Sequence, residues 1–500
     1  MRALHPDHDR VVDALTTPEL ADIVDLVVWV ADDEAGEPTA YAANSVGTVR
    51  LHPDGSRDIL AGADPIGSED PMAFLPYAEE LASPSPRRST DNAYPYAAQR
   101  LLSFFSHPDR SPDLAIVHTP RHYFPEAGGH VGEHGSLDVI QSRAPLILSG
   151  RRVASRGYAD AHARLVDVGA TLAHIAGVPS EDLVDRNGDG LDGRVLREYL
   201  ADGEPGRVVG ILWDGAHSGE VLRLAEAGEL PGVARLIERG VALRGGAVAQ
   251  FPSVTLTNHT SILTGVGPGR HGVLGNVYFD RATGERVVPN DATTWHRSGE
   301  WLAGHVRTVF EMVADHVPDV GLPRAVSIDE AIDRGADYST MQLIRASGNE
   351  RGAGGLDDQL PDPHASPFNL VAAHLDDDYF SWGVQVDDLG LQQVLQLWGD
   401  ADLAPRLTWW ANVVSDAGHH GGGPRSDIAI ASLKQSDARL VVFLDHLERE
   451  GALDEVTILL TADHGFEASD PAVTGSWTSA LDALGVAYRD EGPGLIYLGV

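Results

Sequence analysis

Short apolar runs alternate with helix-period segments along most of this chain, and that alternation restricts it to an α/β architecture with a largely parallel sheet. The runs are LAIVHTP at 114–120, APLILSG at 144–150, VVGILWDG at 208–215, LTWWANVV at 407–414 and VTILLTADHG at 456–465. Helical patterns follow several of them. VDVGATLAHIAG at 166–177 ends at a glycine suited to a helix C-cap, and SDIAIASLKQSDARLVVFLDHLEREG spans 426–451. Shorter strand signals over 26–60 predict a small accessory sheet. ADGEPGR at 201–207 reads as a polar linker. Residues 280–405 lack a clean strand/helix rhythm and are expected to be an insertion covering the site, with an irregular Gly-, Asp- and Pro-rich excursion at 345–365.

Composition narrows the chemistry. The 500 residues are long for one domain, and 43% are hydrophobic, enough for a large core. No stretch approaches the ~20 apolar residues of a membrane span. The start, MRALHPDHDR, has no apolar signal-peptide core, so a cytoplasmic protein is expected. With no cysteine, any metal must be held by His, Asp or Glu. The formal net charge is −37 and Lys434 is the only lysine. Such a surface repels duplex nucleic acid and anionic membranes. A small phosphate ester stays compatible with it, because bound dications dominate the field of a site. Oligomeric state leaves no mark in the sequence.

Four segments place Asp, His or Thr at the carboxyl end of a strand or just beyond it, where open α/β sheets bind ligands. ILWDG puts Asp214 at a strand end, which alone reads as a helix-capping residue. In FPSVTLTNHTSILTG, Thr255 opens a helical pattern running to about Thr264. A hydroxyl there lies in the positive field of a helix N-terminus, which favours an incoming phosphate, although taken alone it reads better as an N-cap. Asn258, one turn later, is placed to aim its amide at the same phosphate oxygen. In VVSDAGHHGGGP, Asp416 and His420 are expected in a glycine-rich turn, and spacing leaves His419 as a competing ligand. LLTADHGF supplies adjacent Asp463 and His464, a weak motif alone. Asp315-His316, the same dipeptide in a helical context with no following glycine, reads as ordinary surface. Upstream, GGHVGEHGSLD carries His130 and His134. DRNGDG at 185–190 matches the first half of a calcium loop, but its twelfth position is Leu196, so a plain turn is expected. Tyr278 and Phe279 suit either a base-stacking or a core role.

Together these segments resemble the alkaline phosphatase superfamily, nearest its type I phosphodiesterase/nucleotide pyrophosphatase branch. FPSVTLTNHTSILTG with GVGPGRHGVLGNVYFD is similar to the family's nucleophile region. DAGHHGGGP resembles its Asp-x-x-x-His-x-x-Gly-Pro element, which selects His420, and TADHGF its Asp-His-Gly element. The family's last histidine ligand follows that element, yet only 36 residues follow His464 and none is His. The matching piece is instead GEHGSLDVIQSRAPLILSG, followed by VDVGATLAHIAGV and DGLDGRVL. The resemblance therefore implies a circular permutation: 1–200 as the family's C-terminal part and 208–500 as its N-terminal part, joined at 201–207 into one catalytic domain.

It implies a central, mostly parallel sheet flanked by helices, and two zinc ions, with manganese as an alternative. One ion is expected on Asp416, His420 and His134, the other on Asp214, Asp463 and His464. Thr255 is the expected nucleophile facing the second ion, and Asn258 the phosphoryl contact. The expected substrate is a small phosphate ester or nucleotide. The alternatives are a phosphonoacetate hydrolase, a phosphomonoesterase, or a silent binding protein on this fold.

Overall fold

The computed structural model describes residues 3–74, 93–125, 128–154, 157–291, 293–347, 360–368, 374–492 and 494–500. An eight-stranded sheet forms its centre. From edge to edge the strands are Tyr338–Ser339, Ala325–Ile328, Leu407–Asn412, Arg207–Trp213, Val456–Thr461, Leu146–Gly150, Gly240–Leu243 and Gly157–Ala159. Neighbours are parallel except at Leu146–Gly150, which runs against both of its partners. In register, Gly210 faces Trp409 on one side and Leu459 on the other.

Consecutive positions over 208–213, 407–412 and 456–461 are buried, so both faces of the sheet are covered. Each Val, Leu or Ile so placed contributes ~1.5–3 kcal/mol of transfer free energy. One group of helices comprises Val166–Ala176, Thr255–Thr264 and Val309–His316. A second comprises Pro231–Glu238, Asp378–Leu397, Val414–Gly422 and Asp427–Arg449. The first helix closes at Gly177 in the left-handed conformation, φ 119°, as its sequence predicts.

A seven-stranded antiparallel sheet lies beside this centre. It draws in Leu114–His118, which pairs with Val24–Asp32 on one side and Leu495–Leu498 on the other. Two expectations change here. LAIVHTP belongs to this second sheet rather than the parallel core, and the signals over 26–60 form only part of a larger sheet. A five-residue apolar run does not encode its partners. The chain ends meet at this sheet: a Cβ on Gly499 would lie 3.0 Å from His5 Nε2.

Residues 280–405 are not a separable insertion, because Ala325–Ile328 and Tyr338–Ser339 complete the central sheet. These strands are too short to show a rhythm. Of the expected excursion at 345–365, residues 348–359 lie outside the described residues. Tyr278 and Phe279 are buried. The DRNGDG run is a turn in which Asp185 Oδ1 accepts the Asn187 and Asp189 amides, while its other oxygen pairs with Arg270. Among the described residues no helix is long and apolar enough to cross a membrane.

Candidate metal centre

The carboxyl ends of three neighbouring strands meet, and two of them, Arg207–Trp213 and Leu407–Asn412, open onto a cavity of about 310 Å³. Asp214 directly follows Arg207–Trp213, and Asp463 stands two residues after Val456–Thr461. Asp416 lies in the first turn of the helix that follows Leu407–Asn412. Gly215 makes the turn after Asp214 possible. Its φ is +62°, and a Cβ would strike Phe466 at 2.3 Å and Asp416 Oδ1 at 2.9 Å. Its amide donates to Asp463 Oδ1 at 2.9 Å, tying two strand ends together.

Asp416 and His420 sit one helical turn apart in Val414–Gly422, not in the expected glycine-rich turn. That spacing puts both on one face. His420 lines the cavity, whereas His419 turns away: its Nδ1 bonds Ser415 O at 2.6 Å and its ring packs on Phe466 at 5.2 Å.

The upstream loop reaches this centre. Gly132–Glu133 pairs antiparallel with Glu467–Ala468, immediately after the Asp463-His464 element. Gly132 lies so close to the helix that a Cβ would be 2.1 Å from His419 O. His134 then stacks its ring on His464 at 3.7 Å and places Nε2 3.2 Å from His420 Nε2. Its Nε2 is 4.0 Å from Asp416 Oδ1, and His420 Nε2 is 3.6 Å from Asp416 Oδ2.

All three histidines present a lone pair inward. Their Nδ1 atoms contact backbone carbonyls: His134 to Ser253 at 3.0 Å, His420 to Gly132 at 2.9 Å, His464 to Gly465 at 3.0 Å. A carbonyl only accepts, so Nδ1 carries the proton and Nε2 is left bare. Burial depresses His134 and His420 well below the ordinary imidazole value, with neighbouring histidines adding to the effect. Both are therefore neutral.

The carboxylates tell the same story. Asp214 Oδ1, Asp416 Oδ1, Asp463 Oδ2 and His464 Nε2 are buried without a hydrogen-bond partner. Burial pushes Asp214 well above the usual carboxylate range, and the charges of Asp463 and Asp416 add to it. Burial acts in the same sense on Asp463, but the imidazoles of His464 and His259 outweigh it and hold that carboxyl low.

Ligand atoms of Asp214, Asp463 and His464 lie within 4.8 Å of one another, as do those of His134, Asp416 and His464. Orphaned buried oxygens converging with bare imidazole nitrogens, and no Lys or Arg among the described lining residues, fit divalent cations held by O and N donors.

Thr255 lines the same cavity. It is the first residue of Thr255–Thr264, and the cap position belongs to Val254, so its hydroxyl is not spent on capping. A family model for type I phosphodiesterase/nucleotide pyrophosphatase matches residues 208–497, more than half of the chain.

The chain belongs to the type I phosphodiesterase/nucleotide pyrophosphatase family.

Individual relatives of this phosphodiesterase-family chain are distant. An uncharacterised pyrophosphatase/phosphodiesterase of Schizosaccharomyces pombe is 37% identical over 78 residues, 15% of this chain and 16% of that protein. An inactive variant of murine ectonucleotide pyrophosphatase/phosphodiesterase 5 in complex with AMP shares 16% identity at a TM-score of 0.37, over 52% of this chain and 57% of that one. Phosphonoacetate hydrolase from Sinorhizobium meliloti, with phosphonoformate, shares 21% at 0.33, over 55% and 59%. The chain thus spans less than two thirds of each.

One expectation for this phosphodiesterase-family site needs correction. Asn258 does not face the cavity. Its Oδ1 accepts the Gln250 amide at 2.7 Å, and its Nδ2 donates to Pro252 O at 3.1 Å and Val254 O at 3.0 Å. Its amide is spent on holding the turn ahead of Thr255. Asn276 lines the cavity together with Thr255, and its Oδ1 accepts the Leu256 amide at 3.1 Å.

Two further residues escaped the sequence reading. His259, one turn after Thr255, lies 3.5 Å from Asp463 Oδ2 and 3.8 Å from Asp214 Oδ2. Its Nδ1 meets Glu330 Oε2 at 2.8 Å, an oxygen that also accepts from Trp409 Nε1 at 2.9 Å. Burial works against its charged form, but Glu330 and Asp463 overcome it and hold His259 well above its ordinary value. The i,i+4 spacing from Thr255 was the available signal. Tyr379, whose hydroxyl donates to Asp416 Oδ2 at 2.7 Å, comes from the stretch without rhythm and carried none.

Proposed function

We propose that this chain hydrolyses phosphodiesters with Thr255 as nucleophile beside two divalent cations. The carrying observation is the set of orphaned lone pairs of Asp214, Asp416, Asp463 and His464: Asp214 and Asp416 line the cavity that Thr255 lines, and Asp463 and His464 stand buried within 4.8 Å of Asp214. Asp214, Asp463 and His464 would hold one cation, and Asp416, His420 and His134 the other; zinc suits these donors, and manganese is compatible. Bound there, two dications acidify a neighbouring hydroxyl and offset charge on the attacking and leaving oxygens.

The chain's own groups do the rest. Thr255 Oγ gives up its proton and bonds to phosphorus as the alcohol leaves; water then cleaves the phosphothreonine. The start of Thr255–Thr264 favours an anion, and the Asn276 NH₂ donates to a phosphoryl oxygen. His259 Nε2, 3.5 Å from Asp463 Oδ2 and 3.8 Å from Asp214 Oδ2, orients these two carboxylates. Metal-loaded protein should turn over bis-p-nitrophenyl phosphate faster than p-nitrophenyl phosphate or phosphonoacetate. Acid quenching should trap phosphate on Thr255. Turnover with no phosphothreonine, and full activity in Thr255→Ala, would remove the nucleophile.

We also read the chain as circularly permuted relative to its family. The family match starts at Val208, directly after the exposed linker, while His134 arrives from upstream. The adjacency of His5 and Gly499 supports this reading, since a short peptide would join the ends. A protein rejoined there and opened within 201–207 should keep its metals and its turnover. Failure to fold would count against the permutation.

A further inference from the structure

We propose that Glu330 is a positioning residue for one of the two cations: acting through His259, it sets the carboxylates of Asp214 and Asp463, and it leaves the set of Asp416, His420 and His134 untouched. The inference rests on the two-cation reading and adds to it a residue that neither ligand set contains.

A run of buried contacts leads from the central sheet to the ligands. Trp409 lies within Leu407–Asn412, in register with Gly210 on one side and Ser327 on the other. Gly210 makes room for its indole, since a Cβ there would lie 2.5 Å from Trp409 Cε3. The indole Nε1 donates to Glu330 Oε2 at 2.9 Å. The same oxygen accepts from His259 Nδ1 at 2.8 Å, and Glu330 Oε1 accepts the Ile332 amide at 3.0 Å. Three donors thus fix a carboxylate that is fully buried. The chain reaches Glu330 through Asp329 in the left-handed region, φ +53°, a conformation that persists where the surrounding structure demands it.

The far side of the imidazole meets the metal ligands. His259 Nε2 has no hydrogen-bond partner and is aimed at Asp463 Oδ2, 3.5 Å away, and Asp214 Oδ2, 3.8 Å away. Its place sets how both acids turn. On Asp463 the Gly215 amide takes Oδ1 and His259 faces Oδ2. On Asp214, His259 faces Oδ2, while Oδ1 stays buried and unpartnered, 3.6 Å from His464 Nε2. Among the described residues the ion-pair partners of His259 are Glu330, Asp463 and Asp214, so the support reaches one ligand set and not the other.

Stability alone does not account for this pair. A buried acid and base are often matched or bettered by apolar residues of like volume. Groups that orient metal ligands from behind, by contrast, are worth about 10–100-fold in metal affinity.

The test titrates zinc into the metal-free full chain, with a chromophoric chelator as competitor to resolve two sites. Glu330→Gln keeps the shape of the side chain. It should weaken one zinc by roughly tenfold or more and leave the other within about twofold. Made in His134→Gln protein, which keeps Asp214, Asp463 and His464, it should weaken the one zinc that remains by the same factor. His259→Gln should weaken that zinc too, and adding Glu330→Gln to it should cost less than about a further twofold, because Glu330 acts through the imidazole. If Glu330→Gln does not fold, Glu330→Asp, which withdraws the carboxylate by one methylene, carries the same comparison, with a loss at one zinc only. Zinc affinities that stay unchanged or fall together overturn the inference, as do losses from Glu330→Gln and His259→Gln that multiply in full. So does a lower Tm of the metal-free variant with the ratio of the two zinc affinities intact, the result a purely structural pair would give. A parent chain that binds no zinc would remove the two-cation reading and this inference with it. Two zinc ions in a parent that turns over no ester would remove the hydrolase reading alone.

Discussion

His134→Gln separates a metal centre built from both halves of the chain from one built by the downstream half alone. Each cation present at ~1,000 times its Kd stabilises the folded state by ~4 kcal/mol. At ~2.1 cal/mol/K per residue, 500 residues carry an unfolding entropy of ~1 kcal/mol/K. Each cation should therefore raise Tm by ~4 °C, and two by ~8 °C. The glutamine removes the Nε2 that lies 3.2 Å from His420 Nε2 and 4.0 Å from Asp416 Oδ1. It leaves the set of Asp214, Asp463 and His464 complete. The variant should bind one zinc by mass-spectrometric metal analysis, against two in the parent, and scanning calorimetry should show half the zinc-dependent rise in Tm. Two equivalents of zinc with the full rise would refute the reasoning, because His134 would then hold nothing.

Other outcomes follow from the same geometry. Thr255→Ala should abolish turnover while still binding two metals, as checked by activity and metal analysis on one preparation. Asn276→Ala should lower kcat by ~10²–10³ with little change in Tm, the usual cost of losing one donor to a developing oxyanion. Asn258→Ala should do the reverse in kind: it strips three buried backbone partners and should destabilise by several kcal/mol, at ~1–3 kcal/mol per group. Acid stability should track His271, which burial, with His107 adding to it, depresses from 6.5 to about 3. The unfolded chain takes up that proton below 6.5 and the folded one only near 3. The contribution is thus intact above 6.5 and drains away as pH falls toward 3, by ~5 kcal/mol in total. Urea titrations of His271→Gln across that window should show a shallower loss.

Much of the fold was legible because its central strands are apolar at consecutive positions. VVGILW, LTWWAN and VTILLT can only be buried on both faces, and their carboxyl ends carry Asp214, the Asp416 helix and Asp463. What short runs did not encode was partnership. LAIVH joined the antiparallel sheet, and AVSI at 325–328 completed the central one unannounced. At the site, residue type and strand-end position pointed to ligands, but hydrogen-bond bookkeeping did not follow from sequence. Asn258 and Asn276 are chemically identical, and only the fold shows that the first is consumed by Gln250, Pro252 and Val254. The choice between His419 and His420 likewise turns on which face of an unforeseen helix meets the Gly132 loop.

The most direct measurement is anomalous diffraction at the zinc edge from crystals grown with zinc. The account predicts two peaks beside Thr255, one against Asp214, Asp463 and His464, the other against Asp416, His420 and His134. A single peak, or ions bound elsewhere while His134 stays without a cation, would contradict it.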